Sequence, residues 1–465
     1  MEEEKMIVMK FGGTSVGNAG AIRRVCTIIQ SRLPQNPVVV TSAVGGVTNK
    51  LVKLAKMAGE GQKKQALQFM QEIHSLHQAI AGELGIIDDQ EFIEVLHQIE
   101  ITLHQSLERI FNHGALTDEL YDGVISIGEL YTANMLPVVL QKMEMPSTFA
   151  DARKMLRTDD HFSSARPLIS ESKLLVKNEL VPIVKRGIIP VTQGFVGGTA
   201  KGQTTTLGRG GSDYSATLIG AMLEVEIVEI WSDVDGVLTA DPSLVPEAHR
   251  IRYMSYSEAA ELAYFGAKVL HPATLAPAVE NDMTVKVFNS MNPDFDGTAI
   301  SQHQPDGRKI DGRVKSIAYK EGLTVITVSS SRMLMAYGFM SQLFSIFDKY
   351  ETSVDLVTTS EVTVSLTIDN TKNISQIMEE LSTFAVAKVE NKKAIVCLVG
   401  EGLKRTKGVP GQIFGLLQDT HIYLISQGAS EINLSFVIDE ADLPKVIVRL
   451  HDYFFSGELD ASIFC

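Results

Sequence analysis

The chain has 465 residues and a formal net charge of −14, a balance that argues against nucleic acid or an anionic membrane as its main partner. With 45% hydrophobic and 21% charged residues it has the composition of a globular protein of two or three domains, and no run approaches the roughly 18 apolar residues of a membrane span. An acidic start without the features of a signal peptide, and three scattered cysteines without a CxxC pattern, predict a cytoplasmic protein with neither a disulfide framework nor a zinc site.

The first predicted element is a short strand that ends in a glycine turn. The apolar run 6–9 leads into Lys10-Phe11-Gly12-Gly13-Thr14-Ser15-Val16. Glycines without side chains let phosphate oxygens approach the backbone N–H groups, and a following helix N-terminus favours an anion. Because Lys10 precedes the glycines, the string is not a Walker loop.

The next 290 residues alternate between short β-rich runs and helical patterns. Examples of the runs are 37–41, 188–191, 227–231 and 285–288. Residues 51–120 are polar, contain no proline and carry apolar residues at helical spacing, which predicts a helical subdomain along one edge of a sheet. The alternation predicts an α/β fold on a mainly parallel sheet.

A second glycine-rich string occupies residues 204–215, with the sequence Thr-Thr-Thr-Leu-Gly-Arg-Gly-Gly-Ser-Asp-Tyr-Ser. Like the first string, it places bare backbone beside a cation and several hydroxyls, which suits phosphate or carboxylate oxygens.

The last third of the chain contains an internal repeat. Residues 360–369 match residues 430–439 at an offset of 70, with five of ten pairs identical. Without a gap the same offset pairs Gly338 with Gly408, Gln342 with Gln412, and Phe344 with Phe414. A repeat of this length predicts duplicated modules, although strands exchanged between the copies would blur their boundary. The buried face of the first module's helix is expected to carry Phe339, Leu343, Phe344 and Phe347.

Together these strings resemble those of the aspartokinases, members of the amino-acid kinase superfamily, and most of all the lysine-sensitive monofunctional branch. The resemblance continues through residues 232–236, 241–242, 265–272 and 353–361. It implies a three-layer αβα kinase sandwich over residues 1–305, followed by two ACT-like βαββαβ modules over 315–385 and 390–465. It also implies at least a homodimer formed through the ACT modules.

The reaction that the resemblance implies is transfer of the γ-phosphoryl group of ATP, bound with Mg²⁺, to the β-carboxylate of L-aspartate. The product, 4-phospho-L-aspartate, is the first intermediate toward lysine, threonine and methionine. An aspartate carboxylate titrates near pH ~3.9, so the acceptor is already ionised and no general base is required. Catalysis then depends on positioning and on cations, for which we expect Lys10 and Lys268, with Asp213 orienting a lysine or the substrate amine.

Aspartate itself requires a cation for its α-carboxylate and an acceptor for its ammonium group. Arg209 offers a bidentate fork, and Glu129 matches the family's amine-binding glutamate. The other expected substrate contacts are Ser42, Thr48, Gly210, Gly211 and Ser212.

The nucleotide residues that the resemblance implies are Lys10, Phe11, Gly12, Gly13, Ser15, Ser232, Asp233, Leu238, Ser243, Lys268 and Val269. This sequence departs from the family pattern at two of them. Leu238 stands where many members carry an aromatic residue, and Ser243 where many carry arginine, so a phosphate contact is lost unless Arg250 or Arg252 supplies it.

The first ACT-like module is expected to bind lysine as a feedback inhibitor. Asp355 and Glu361 would meet the ammonium groups, and the turn at Gly338 would hold the carboxylate. The full expected effector set is Met333, Ala336, Gly338, Phe339, Met340, Ser353, Val354, Asp355, Ser360 and Glu361. The second copy has Ile425 in place of Asp355, which indicates a scaffolding role.

Two alternatives remain open from the sequence. The first is a different amino-acid kinase, acting on glutamate or an acetylated amino acid. The second is an amino-acid sensor that has lost catalysis, which the departures at Leu238 and Ser243 slightly favour. The glycine strings and the pair of ACT-like modules argue against the first alternative. The presence of all the expected site residues argues against the second: Lys10, Glu129, Arg209, Asp213 and Lys268.

Overall fold

A computed structural model describes residues 5–266, 270–302, 312–333 and 337–465 of the chain. Its strands are β1 Ile7–Phe11, β2 Pro37–Thr41, β3 Ser147–Phe149, β4 Ile189–Gln193, β5 Val196–Gly198, β6 Thr204–Thr206, β7 Ile227–Ser232, β8 Tyr253–Ser255, β9 Thr284–Asn289, β10 Thr298–Ser301, β11 Ser316–Ser329, β12 Val357–Thr359, β13 Thr363–Ile368, β14 Val386–Val399, β15 Leu424–Gln427 and β16 Asn433–Asp439.

Its helices are α1 Ala19–Ser31, α2 Val47–Gly59, α3 Lys63–Leu84, α4 Gln90–His113, α5 Asp118–Ile125, α6 Ile127–Lys142, α7 Ala152–Met155, α8 Ile169–Val184, α9 Gly211–Leu223, α10 Tyr256–Tyr264, α11 Pro272–Glu280, α12 Phe339–Lys349, α13 Ile374–Ser382, α14 Val409–Leu416 and α15 Leu443–Phe455.

Two compact units are formed. The described residues of the first fall within Met1–Val237, Arg252–Tyr256 and Val269–His303, and those of the second within Leu238–Ile251, Ser257–Lys268 and Gln304–Cys465. The domain limits expected from the sequence, 1–305, 315–385 and 390–465, stay a prediction.

The first unit is built on an eight-stranded sheet in the order β3-β4-β2-β1-β7-β9-β10-β8. All neighbours are parallel except β9 and β10, which confirms the predicted α/β fold on a mainly parallel sheet. β1 is buried throughout because parallel strands are covered on both faces. Lys10 lies opposite Val40 on one side and Ile230 on the other, close to the carboxyl edge of the sheet.

Long helices fill the segment between β2 and β3, as the apolar spacing of that segment predicts. α3 and α4 bury a row of apolar side chains that includes Ile73 and Leu103. The stretch Asp118–Lys142 is long and apolar enough, by length and composition, to cross a membrane. However, 83% of its most apolar window is buried within the protein, as in a core helix of a globular domain.

The second unit contains a six-stranded antiparallel sheet in the order β12-β13-β11-β14-β16-β15. The repeat is visible in it, since β11 and β14 have 14 residues each and are related by the same offset of 70. Gly338 and Gly408 likewise precede α12 and α14 in left-handed conformations, with φ of 84° and 88°. The buried face of α12 differs in one position from the prediction, because Ile346 is buried while Phe344 is half-buried.

We predict that a buried ion pair in the second unit is needed for its stability. Lys315 Nζ lies 2.7 Å from Glu258 Oε2, and the two side chains are 2% and 0% exposed. Lys315→Met leaves a buried carboxylate without this partner and is expected to lower the free energy of unfolding by about 3–5 kcal/mol in urea denaturation. Lys5→Met is the matched control, because its pair with Glu226 is exposed on both sides and should contribute less than about 1 kcal/mol. Equal losses in the two variants would contradict this prediction.

Candidate active site

A cavity of about 640 Å³ lies in the first unit, where β1 and β2 end. Its wall comes from the glycine turn after β1, the loop after β2, and the loop between β6 and α9. The first turns of α2, α6 and α9 also line it. Three helix N-termini carry partial positive charge, so the cavity suits an anionic ligand.

Lys10 lies beside the glycine turn with only 9% of its side chain exposed. Its Nζ is 2.5 Å from Asp213 Oδ1, so the two side chains form an ion pair. A Cβ atom at Gly12 would lie 3.4 Å from this Nζ, so the ammonium group stands over the backbone of the turn. At Gly13 a Cβ would lie 2.9 Å from the carbonyl oxygen of Ala43, so glycine permits the close approach of the two loops.

Glu129 lies buried in the first turn of α6, with 3% of its surface exposed. Burial raises the pKa of its carboxyl to about 8, against the opposing effects of a hydrogen bond from the Ala43 backbone and the charge of Lys10. Its Oε2 has no hydrogen-bond partner among the described residues. A buried carboxylate oxygen of this kind calls for an ammonium group, and the cavity gives one access.

The second glycine string forms the loop from β6 into α9. Gly208 and Gly210 adopt left-handed conformations with φ of 78° and 71°, which glycine tolerates best. Arg209 between them is exposed, and no ion pair holds its guanidinium within the described ranges. The cavity therefore brings together ten of the residues predicted from sequence: Lys10, Gly13, Ser42, Thr48, Glu129, Arg209, Gly210, Gly211, Ser212 and Asp213.

Five lining residues belong to none of the strings or sites predicted from the sequence: Val52, Tyr121, Ile125, Ser163 and Phe195. Phe195 has a φ of 67°, and its N–H donates to the Ser215 hydroxyl at 2.9 Å. Its ring lies against Gly211, where a Cβ would be 2.7 Å away. The only signal in the sequence that could have pointed to Phe195 was the presence of glycines on either side of it, just after a predicted strand.

The expected nucleotide residues are more dispersed. Phe11 is buried and stacks on Trp231, while the Ser15 hydroxyl lies 2.8 Å from that of Ser290. In the first unit Ser232 is half-buried at the end of β7, followed by the exposed Asp233. Leu238 and Ser243 belong to the second unit, and Lys268 and Val269 lie outside the described residues.

Ser243 is occupied by a local contact. Its backbone N–H and its hydroxyl both donate to Asp241 Oδ1, at 2.8 and 2.6 Å, and Asp241 Oδ2 accepts from the Tyr319 hydroxyl at 3.0 Å. The hydroxyl therefore stabilises its own turn, and the loss of a phosphate contact at this position stays a prediction.

The expected effector residues that the structure describes all belong to the second unit. Met333, Met340 and Val354 pack against the apolar cluster that contains Phe339. Gly338, Ser353, Ser360 and Glu361 are exposed, and Ala336 lies outside the described residues.

Among the expected effector residues within the described ranges, Asp355 is the one already held by other side chains. Its side chain is 4% exposed, and its Oδ1 accepts from Lys320 Nζ at 2.9 Å and from the Tyr264 hydroxyl at 3.0 Å. Its Oδ2 is buried without a hydrogen-bond partner in the described chain.

Comparison with known proteins covers both units. The model of the amino acid kinase family matches residues 5–289, and that of the ACT domain matches residues 396–454. The chain is 37% identical to the lysine-sensitive aspartokinase 3 of Escherichia coli strain K12, over 97% of this chain and 99% of that protein. The crystal structure of E. coli aspartokinase III with aspartate and ADP superposes with a TM-score of 0.83 at 36% identity, over 97% of this chain and 100% of the other. The structure of the same enzyme with lysine and aspartate gives 0.80 at 36% identity, over 97% and 99%.

We predict that Glu129 makes stability depend on pH in a characteristic direction. Its folded pKa of about 8 exceeds the ordinary 4.5, so the folded chain holds this proton more tightly than the unfolded chain, and stability falls as pH rises through that window. In thermal melts, the Tm of Glu129→Gln relative to that of the wild type should rise between pH 6 and pH 9. Glu94→Gln, at an exposed position on α4, should track the wild type. Parallel curves for Glu129→Gln would refute the burial argument.

Proposed function

The chain belongs to the aspartokinase family of amino acid kinases, and from this premise we propose how its cavity performs the reaction of an aspartate kinase. That reaction is ATP-dependent phosphorylation of L-aspartate to 4-phospho-L-aspartate, with feedback by lysine. The observation that carries the assignment is the pairing, in one cavity, of a buried carboxylate with an unpartnered oxygen and a buried lysine over a glycine turn.

The cavity offers aspartate a complementary charge at each of its groups. We assign the α-ammonium to Glu129, whose Oε2 is buried without a partner. The α-carboxylate goes to Arg209, whose planar fork can bind both oxygens. The half-buried hydroxyls of Ser42 and Thr48, with the N–H groups at the start of α9, complete the contacts.

Phosphoryl transfer brings an anionic nucleophile to a polyanion, so the barrier is mainly electrostatic. The Lys10 ammonium stands over the Gly12 backbone, where both can meet oxygens of the transferring group. Asp213 fixes the ammonium there through the 2.5 Å ion pair. Lys268 would supply a second cation by its match to the family motif.

ATP is the phosphoryl donor of this family. The E. coli relative of this chain was solved with ADP. Within the described ranges no group of three His, Cys, Asp or Glu side chains is arranged to hold a metal ion. We therefore assign Mg²⁺ to the phosphate oxygens of ATP rather than to a cluster of side chains. Within the first unit, the ribose would lie toward Ser232 and Asp233, by their match to the family motif.

The assignment is tested by the products formed with different acceptors. Purified wild type should release ADP with aspartate and far more slowly with glutamate or acetylglutamate. Lys10→Ala should lower kcat about a hundredfold, because one transition-state cation can contribute about 3 kcal/mol, while the KM for aspartate changes less. Lys56→Ala, an exposed lysine on α2, is the control and should keep wild-type kcat. Near-normal turnover by Lys10→Ala would remove this lysine from the mechanism.

Lysine is the proposed feedback inhibitor, and the E. coli relative was solved with it. The effector's ammonium would bind the unpartnered Oδ2 of Asp355, and its carboxylate the N–H groups that open α12 after Gly338. Exposed apolar side chains on the regulatory sheet, among them Val386 at 66% and Ile425 at 44% exposure, support association of copies into a homodimer or larger assembly. A cytoplasmic location stays a prediction.

Titration with lysine, threonine and methionine tests the regulatory site. Lysine should inhibit the wild type, and Asp355→Ala should raise the inhibiting concentration at least tenfold, since a buried charged contact is lost. Asp348→Ala, an exposed carboxylate on α12, should respond like the wild type. An undiminished lysine response in Asp355→Ala, or inhibition by threonine alone, would overturn the site.

A further inference from the structure

Asp122 is a buried carboxylate that the proposed chemistry does not use. It lies on α5 with 0% of its surface exposed. Its Oδ1 accepts from the Thr206 hydroxyl at 2.7 Å, and its Oδ2 accepts from the backbone N–H groups of Ser163 at 2.8 Å and Thr206 at 2.9 Å. Three donor atoms from two distant segments thus meet at one carboxyl group.

Burying the Asp122 carboxylate costs desolvation free energy. No lysine, arginine or histidine within the described ranges forms an ion pair with Asp122, so hydrogen bonds alone offset the loss of hydration. Three donors and no acceptor point at its oxygens, which is the environment that an ionised carboxylate requires. A neutral side chain would fill the same space at a lower desolvation cost.

Both segments that Asp122 holds are walls of the cavity. Ser163 adopts a left-handed conformation with φ of 68°, which disfavours a residue other than glycine and calls for an external restraint. Thr206 ends β6 and leads directly into the loop that carries Gly208, Arg209 and Gly210 before α9 begins. The two segments also touch, because Ala165 N–H donates to the Thr206 carbonyl at 2.9 Å and a Cβ at Gly208 would lie 3.4 Å from the Ser163 carbonyl oxygen.

We propose that Asp122 is a positioning residue for aspartate binding, which holds the Ser163 turn against the start of the Arg209 loop and so fixes one wall of the acceptor site. The inference rests on the proposed function of the cavity. Asp122 acts through Thr206 and Ser163 and does not touch the substrate. Its effect should therefore fall on the KM for aspartate far more than on the KM for ATP.

The charge of Asp122 gives the role a pH signature. Burial raises its pKa to about 6, opposed by its three hydrogen bonds and assisted by Asp118. The ionised acceptor is present above this pH and lost below it. Stability moves the other way, because the folded chain holds the proton more tightly between about pH 4 and 6. Lowering the pH should thus weaken aspartate binding, although protonation of Asp122 does not lower the stability of the fold.

Other charged and titratable groups lie on the surrounding elements and also set the local field. They are Asp118, Glu119 and Tyr121 on α5, Lys53 and Lys56 on α2, Arg109 on α4, Glu129 on α6, Asp159 and His161 before the Ser163 turn, and Arg209 after β6. Four of them are held in two local pairs, since Arg109 pairs with Glu119 and the His161 Nδ1 lies beside Asp159 Oδ2, each at 2.9 Å.

The experiment compares Asp122→Ala, Asp122→Asn and the control Asp118→Asn, an exposed carboxylate on the same helix, in steady-state kinetics with both substrates. Asp122→Ala should raise the KM for aspartate tenfold or more and leave the KM for ATP within about twofold. Asp122→Asn should recover part of this loss, because its amide oxygen can still accept the two backbone N–H groups. Asp118→Asn should match the wild type.

The pH dependence separates positioning from simple packing. The ratio of kcat/KM for aspartate between wild type and Asp122→Asn should be largest near pH 8 and approach one below about pH 6, since Glu129 titrates in both enzymes and cancels. A constant ratio, or equal changes in both KM values, would overturn the inference.

A second variant keeps the test decisive if Asp122→Ala fails to fold. Thr206→Val removes only the hydroxyl donor and should raise the KM for aspartate by a smaller factor, again without affecting ATP. An unchanged KM in Thr206→Val would then overturn the inference. Absence of aspartate-dependent ADP formation in the wild type would instead refute the proposed function, a distinct result.

Discussion

The ion pair between Lys10 and Asp213 is the contact on which the rest of the catalytic unit depends. It joins the end of β1 to the first turn of α9, across some two hundred residues of sequence, with side chains only 9% and 18% exposed. Two charges this far from water attract strongly, yet either one alone would be costly. The glycine turn must therefore leave room for the ammonium group, and the loop after β6 must bend to bring the carboxylate to it.

The same constraint explains why the cavity is rich in helix N-termini. An anionic acceptor and a polyanionic donor must be held together, and Lys10 is already partly compensated by Asp213. The additional positive potential comes from backbone N–H groups at the starts of α2, α6 and α9, which cost no side-chain entropy. Glu129 is the exception, because its carboxyl is buried. In the proposed function this carboxyl selects a substrate that carries an ammonium group as well as carboxylates.

The sequence alone was enough to predict the parts of the molecule that depend on local residue patterns. The parallel sheet followed from alternating runs, and the glycine strings pointed to the residues that line the cavity. Phe195 and Asp122 could not be found in this way, because each owes its place to partners that lie next to it only after folding. The same holds for Lys320, whose contact with Asp355 joins a strand to a distant loop.

The most direct test of the account is a double-mutant cycle between positions 10 and 213, measured on kcat/KM for aspartate. Lys10→Met, Asp213→Asn and the double variant would be compared with the wild type under one set of conditions. If the ion pair positions the ammonium group, the double variant should lose little more than Lys10→Met alone, so that the two single losses are strongly non-additive. Losses that simply add would show that the two side chains act independently, and would contradict the central place given to this pair.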